Sequence, residues 1–209
     1  MAKKIIITIA RQYGSGGREI GGRVAEILGI PLYDKELIKD AAAKGNLNED
    51  VLRTSDESAA NSLLYTLAVG SNVVGTTMHF GYKMPINDKL FILQSEVIKE
   101  YASQGSCVVI GRCADYVLRD EPNLFRIFVY GDLDHRKERV AARHPEIKNT
   151  QIIDVINKTD KRRSSYYNFY TGRKWGKYDN YDMAVNSSTF GIEETARIIA
   201  AAVQKLVDD

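Results

Sequence analysis

The chain has 209 residues, 44% of them hydrophobic, with 29 Lys and Arg against 27 Asp and Glu and a formal charge of +2. That size and apolar content suit a single α/β domain over residues 1–209 with an ample core, and the near-balanced charge gives no support for a dedicated nucleic-acid or membrane-surface binder. No stretch is long enough to span a membrane, and the apolar run after Lys3 and Lys4 ends in Arg-Gln-Tyr-Gly rather than a small-residue cleavage site, so a cytoplasmic enzyme is the expectation.

Strand-like runs lie near residues 4–10, 30–33, 106–110, 124–130 and 182–186. The first, third and fourth are almost continuously apolar, as strands buried on both faces should be. The first stops at the glycine-rich loop Gly14-Ser15-Gly16-Gly17. A helix follows at once, with Ile20, Val24, Ile27 and Leu28 at helical spacing and Gly29 at its end. Asp34 follows the second strand and is placed to cap a helix beginning at Lys35. Residues 46–87 form a long connection expected to be a substrate-binding loop, a lid or an interface between copies of the chain. Within 58–87, Leu63, Leu64, Val73, Val74, Phe80 and Tyr82 need a partner surface, either the substrate crevice or a second copy of the chain, so a homodimer is one expectation. Asp88 is placed to cap a helix carrying Phe91, Val97, Ile98 and Tyr101. Beyond the fourth strand come a helix with Arg136, Arg139 and Arg143, a second basic helix, a Tyr-rich tail with Trp175, and a last helix from about Ile192 to Leu206. Alternation of this kind implies a five-stranded parallel sheet with helices on both faces and ligands at the carboxyl ends of the strands.

Strand, glycine loop and helix in succession is the layout that cradles phosphate on backbone N–H groups, although a glycine cluster also makes a simple tight turn. The usual phosphate loop reads G-x-x-x-x-G-K-[ST]. Here Gly16 is followed by Gly17, then Arg18 and Glu19, so the cation is missing or moved. Arg18 or Arg11 is the candidate replacement; a solvated role in the first helical turn is the plain reading of Arg18. Glu19 is read at the place of the Ser/Thr that binds Mg²⁺, holding the ion through water or merely favouring the helix N-terminus. Arg112 follows the third strand and is expected to point into the crevice as a catalytic and acceptor-binding residue. Arg136, Arg139 and Arg143 fall on one helical face, a row that either closes over a polyphosphate or is a solvated basic face. Asp160 and Arg163 on the next helix face that row. The basic and aromatic residues from 160 to 175 point to core packing or nucleobase stacking ahead of single-stranded nucleic acid. Asp34 and Asp115 are acids near strand ends, with helix capping as their plain reading. Cys107 and Cys113 form no disulfide framework, and His79, His135 and His144 have no metal or triad spacing.

These pieces resemble the cytidylate kinase-like family of P-loop nucleoside monophosphate kinases. The resemblance rests on Ile-Thr-Ile-Ala-Arg-Gln-Tyr-Gly-Ser-Gly-Gly at 7–17, Pro-Leu-Tyr-Asp at 31–34, Val-Ile-Gly-Arg at 109–112 and Arg-Ile-Phe-Val at 126–129 with Arg136 and Arg139 beyond. Asp160 to Tyr167, and Tyr181-Asp182 leading to Asn186-Ser187, complete it. It implies a P-loop kinase fold, a lid over about 136–165, a monophosphate-binding insertion at 46–87, and phosphoryl transfer from ATP with Mg²⁺ to CMP or dCMP. Within it, Arg18 stands in for Lys, Arg136, Arg139 and Arg163 clamp the transferring group, and Asp34, Arg112, Asp115 and Asp160 meet the acceptor. The chain departs from authentic cytidylate kinases in having Gly16-Gly17 for Gly-Lys, Ile110-Gly111-Arg112-Cys113 for Asp-Gly-Arg-Asp, and Lys35 for a Ser after the second-strand Asp. A nucleotide-binding regulatory protein without kinase activity, and a kinase of a non-nucleotide metabolite, are the alternatives.

Overall fold

A computed structural model of the chain describes residues 3–34, 36–45 and 86–208. Of the insertion expected over 46–87, residues 46–85, with the proposed lid or dimer contact and His79, lie outside the described residues, and the last two begin a helix. Five strands form one parallel sheet: β1 (Ile6–Arg11), β2 (Leu32–Tyr33), β3 (Cys107–Ile110), β4 (Leu124–Tyr130) and β5 (Met183–Asn186). Their spatial order is β2-β3-β1-β4-β5, which puts β1 in the centre with Ile9 opposite Ile110 on one side and Ile127 on the other. The bounds fall close to those expected from hydropathy, except that β2 shrinks to two residues. Pro31 is the reason: it has no N–H for the ladder, although its carbonyl still accepts from Val108 N–H at 2.9 Å.

Alternation along β1 divides the core. Ile5, Ile7 and Ile9 face helices α1 (Gly17–Leu28) and α7 (Ser187–Asp208), packing on Val24 and Ile199. Ile6 faces the opposite layer, where Leu37 of α2 (Glu36–Gly45), Ile98 of α3 (Ile86–Gln104) and Ala114 of the short α4 (Ala114–Val117) close over Cys107 and Val109. Helices on both faces follow from this, as the alternating pattern implied. Burial pushes the Cys107 thiol up to about 11, so it acts as a small core hydrophobe. Between β4 and β5 run α5 (Leu133–Arg143) and the 23-residue α6 (Asn149–Thr171).

Two sequence expectations are corrected here. Tyr166, Tyr167 and Tyr170 are not in a tail: they belong to α6, where Tyr170 stacks on Phe91 of α3 with ring centroids 4.2 Å apart. Asp88 does not precede its helix but lies inside the first turn of α3, accepting a hydrogen bond from Tyr170 Oη at 2.8 Å. One aromatic cluster thus ties α3 to α6, and it fixes both helices beside the carboxyl end of β3.

The far edge of the sheet carries a titratable clamp. Arg126 donates from its backbone N–H and Nε to Asp182 Oδ2 at 2.8 and 3.0 Å, and from Nη2 to Oδ1 at 2.7 Å. Burial alone would raise the Asp182 carboxyl, but these bonds outweigh it and hold the group below its ordinary value. A depressed carboxylate gives stability that is present above its unfolded value and lost as pH falls through the lower folded value. Asp182→Asn is therefore expected to cost about 1 kcal/mol at pH 7 and much less at about pH 2, read by urea denaturation. An equal penalty at both pH values would refute the charge-based account.

Candidate functional site

The loop after β1 is held by four separate parts of the chain. Gln12 N–H donates to Val129 O at 3.0 Å, and Ser15 Oγ donates to Gln12 O and Val129 O at 2.9 and 3.2 Å. Asp160 of α6 accepts from Tyr13 N–H at 2.7 Å. Arg136 of α5 donates to Tyr13 O at 3.2 Å and pairs with Asp160 at 2.6 Å. Ser187, at the start of α7, donates to Ser15 O at 2.6 Å. Gly14 and Gly16 turn through positive φ, 81° and 77°, and Gly17 starts α1. The N–H groups of that first turn have no intrahelical acceptors, and the helix dipole adds partial positive charge there. The glycine loop thus stands, as expected, at the carboxyl end of the central strand, with the first-turn N–H groups of α1 behind it.

Beside it, between the ends of β1 and β3, lies a crevice lined by Arg11, Arg112, Asp115, Arg163, Tyr166 and Trp175 among others. Three arginines and one buried carboxyl, Asp115, share its lining. Asp115 Oδ2 accepts from Tyr167 Oη at 2.7 Å. Burial raises the Asp115 carboxyl, against the lowering effect of that bond. Burial, and then the nearby Asp115, likewise raise the Tyr167 phenol. Arg163 donates to the carbonyl of Arg11 at 3.0 Å and lies over the Tyr13 ring at 5.7 Å. Arg112 and Cys113 both adopt positive φ, 57° and 55°, in the turn from β3 into α4. Such a conformation is uncommon for residues with a Cβ, and it turns the chain sharply where the crevice begins. A basic crevice with an aromatic wall suits a phosphorylated, planar or ring-bearing ligand.

The predicted residues therefore fall into separate groups. Gly14, Ser15, Gly16 and Gly17 form the loop; Arg11, Arg112, Arg163 and Asp115 meet in the crevice. Arg136 and Asp160 pair with each other and both bond Tyr13, so in this structure they brace the loop. Arg136 leaves the expected row because its side chain turns inward, while Arg139 and Arg143 turn toward α1. Glu19 is tied up there: Arg139 pairs with it at 2.5 Å, and Arg143 pairs with its other oxygen. Counting from Gly16, the Ser/Thr place of the motif is also Arg18, not Glu19. Arg18 runs to Asp34 at 2.5 Å, at the end of β2, with more than half of its side chain exposed. Asp34 is thus an ion-pair partner of Arg18. Arg139 stands over the loop, its Nη2 3.1 Å from where a Cβ on Gly16 would be. Burial lowers Arg139 below its ordinary value, yet a guanidinium stays charged at neutral pH.

Ser187, Tyr13 and Tyr167 were not named as site residues, although each falls in a stretch on which the resemblance rests; all three act through backbone or hydroxyl contacts over long separations, which no local pattern reveals. Among the described residues, no three His, Cys, Asp or Glu side chains gather to hold a metal, and the two acids seen against the loop, Glu19 and Asp160, are both ion-paired. These residues do not make a resident Mg²⁺ site. Among them, too, no helix is long and apolar enough to cross a membrane.

Comparison with known proteins adds the following. The model of the cytidylate kinase-like family matches residues 6–189. An uncharacterized protein from Eubacterium ventriosum ATCC 27560 is similar at 27% identity and TM-score 0.71, over 96% of this chain and 99% of that one. Shikimate kinase from Bacteroides thetaiotaomicron shares the fold at 11% identity and TM-score 0.54, over 97% and 99%. A gluconokinase from Sinorhizobium meliloti 1021 does so at 16% and 0.51, over 100% and 96%. Comparison with curated proteins gives no match.

Proposed function

The chain belongs to the cytidylate kinase-like family, and from that premise we propose that it transfers a phosphoryl group from ATP to a nucleoside monophosphate, with CMP or dCMP as the acceptor. The observation that carries this reading is the glycine loop at the carboxyl end of β1, opening directly onto a crevice lined by Arg11, Arg112 and Arg163. The donor arrives as the Mg²⁺ complex of ATP, its phosphates on the N–H groups of residues 14–18. Arg112 takes the acceptor phosphate, and Asp115 with the aromatic wall of Tyr166 and Trp175 bounds the rest of the acceptor. Arg139 moves from Glu19 to the transferring group as charge builds on it. Catalysis is then positioning and charge stabilisation, with little covalent chemistry by the protein.

Thermal unfolding with MgATP and a panel of acceptors tests this. MgATP at 100 times its dissociation constant should add roughly 2.7 kcal/mol, or about 5–10 °C for a chain of this size. ADP release should then depend on CMP or dCMP. Release only with shikimate or gluconate in the panel would replace the acceptor. Binding without release under any acceptor would make the chain a nucleotide-binding protein without kinase activity. No stabilisation by MgATP at millimolar concentration would end the nucleotide reading.

A further inference from the structure

Aligned on Gly16, the phosphate-loop pattern puts its first glycine at position 11 and its lysine at position 17. This chain has Arg11 and Gly17 in those places. Glycine and cation have exchanged positions, and the packing explains why both must change together. A Cβ on Gly17 would stand 2.5 Å from Arg11 Cβ, 3.1 Å from Arg11 Cγ and 3.3 Å from Val129 Cβ. The stem of Arg11 fills the volume in which a lysine at position 17 would begin. At its far end, the same side chain passes over Gly111, where a Cβ would overlap Arg11 Nη1 and lie 3.1 Å from Cζ. Arg11 is also anchored in the backbone: it pairs with Val129 in the sheet, and its carbonyl accepts from Arg163.

We propose that Arg11 is the cation of this phosphate loop, with Gly17 and Gly111 as the two gaps that let its side chain run from the loop to the end of β3 and present a guanidinium in the crevice beside the loop, toward the nucleotide's phosphates. The proposal rests on the nucleotide reading above, and it replaces the expectation that Arg18 takes this role. Arg18 starts one residue further on and is directed to Asp34 at β2. A guanidinium offers a planar, bidentate grip where lysine offers a point charge, so the exchange changes the geometry of recognition and keeps the charge.

Two measurements on the full chain test it. In calorimetry with MgATP, Arg11→Ala should weaken binding about tenfold or more, the size of losing a charge-assisted hydrogen bond. Arg11→Lys, which keeps stem and charge, should recover only part of that, and Arg18→Ala should stay within about twofold of wild type. In thermal unfolding without nucleotide, Gly17→Ala should lower the midpoint by at least about 3 °C, as overpacking does, and should cost little when combined with Arg11→Gly, which removes the obstructing stem. MgATP binding by Arg11→Ala within twofold of wild type overturns the proposal while leaving the nucleotide reading intact. So does a Gly17→Ala penalty that is the same in both backgrounds. Failure of the wild-type chain to bind MgATP overturns the nucleotide reading and this proposal with it.

Discussion

Arg139→Ala is expected to lower turnover by about 10²- to 10³-fold while the Michaelis constant for ATP moves by only a few fold. Arg139 sits over Gly16, where the donor phosphates of the proposed reaction would meet the loop. In the resting chain its Nη2 is held by Glu19, and its buried Nε has no acceptor among the described residues. An N–H already stripped of water and lacking an acceptor has more to gain from an anion than a solvated one. Because Glu19 neutralises it beforehand, binding of the ground state gains little. The gain comes when charge on the transferring group exceeds what Glu19 offers, and such differential binding appears in turnover. Steady-state kinetics decide the point. Turnover near that of wild type would remove Arg139 from the reacting centre, and a large rise in Michaelis constant at unchanged turnover would make it a simple binding contact.

Asp160→Ala should destabilise the protein by about 3–5 kcal/mol, the cost of leaving a buried charge without its partner. Arg136 is only 7% exposed, and its Nε has no acceptor among the described residues. Losing Asp160 removes its counter-charge and also the acceptor of Tyr13 N–H. Asp160→Asn keeps one oxygen for that N–H but not the charge, so its penalty should be smaller. Urea denaturation of both variants checks this. A loss below about 1 kcal/mol for Asp160→Ala would mean that Gln12, Ser15 and Ser187 hold the loop by themselves.

The parallel sheet was legible because its strands are buried on both faces. Ile5 to Ile9, interrupted only by the buried Thr8, and Cys107 to Ile110 are apolar runs, and both lead into glycine-marked turns. The loop was legible for the same reason: glycines after a central strand are a local signal. The assignment of charges was not. Helical spacing put Arg136 and Arg139 on a shared face, but it could not tell that Asp160 would draw one inward and Glu19 the other outward. Those partners lie 24 and 120 residues away. Arg11 illustrates the limit: the sequence offers it beside Arg18 as a candidate cation, and only its packing against Gly17 and Gly111 sets the two apart. The Tyr166–Tyr170 segment was misplaced because a dense aromatic run masks helical periodicity, and its partner Phe91 comes from a distant helix.

The anchors of the glycine loop have a consequence for how the molecule is made. Tyr13 waits for Asp160, 147 residues later; the Arg11 carbonyl waits for Arg163, 152 later; Ser15 waits for Ser187, 172 later. A ribosome adding roughly 5–20 residues per second emits the loop long before any of these exist. Loop closure over such separations is entropically costly and slow. During synthesis the first strand and its glycines can therefore collapse against early helices, but the loop takes its shape only when the last quarter of the chain arrives. Ordering of the glycine loop becomes a late, nearly final event, and any ligand that needs the ordered loop can bind only when the fold is almost complete.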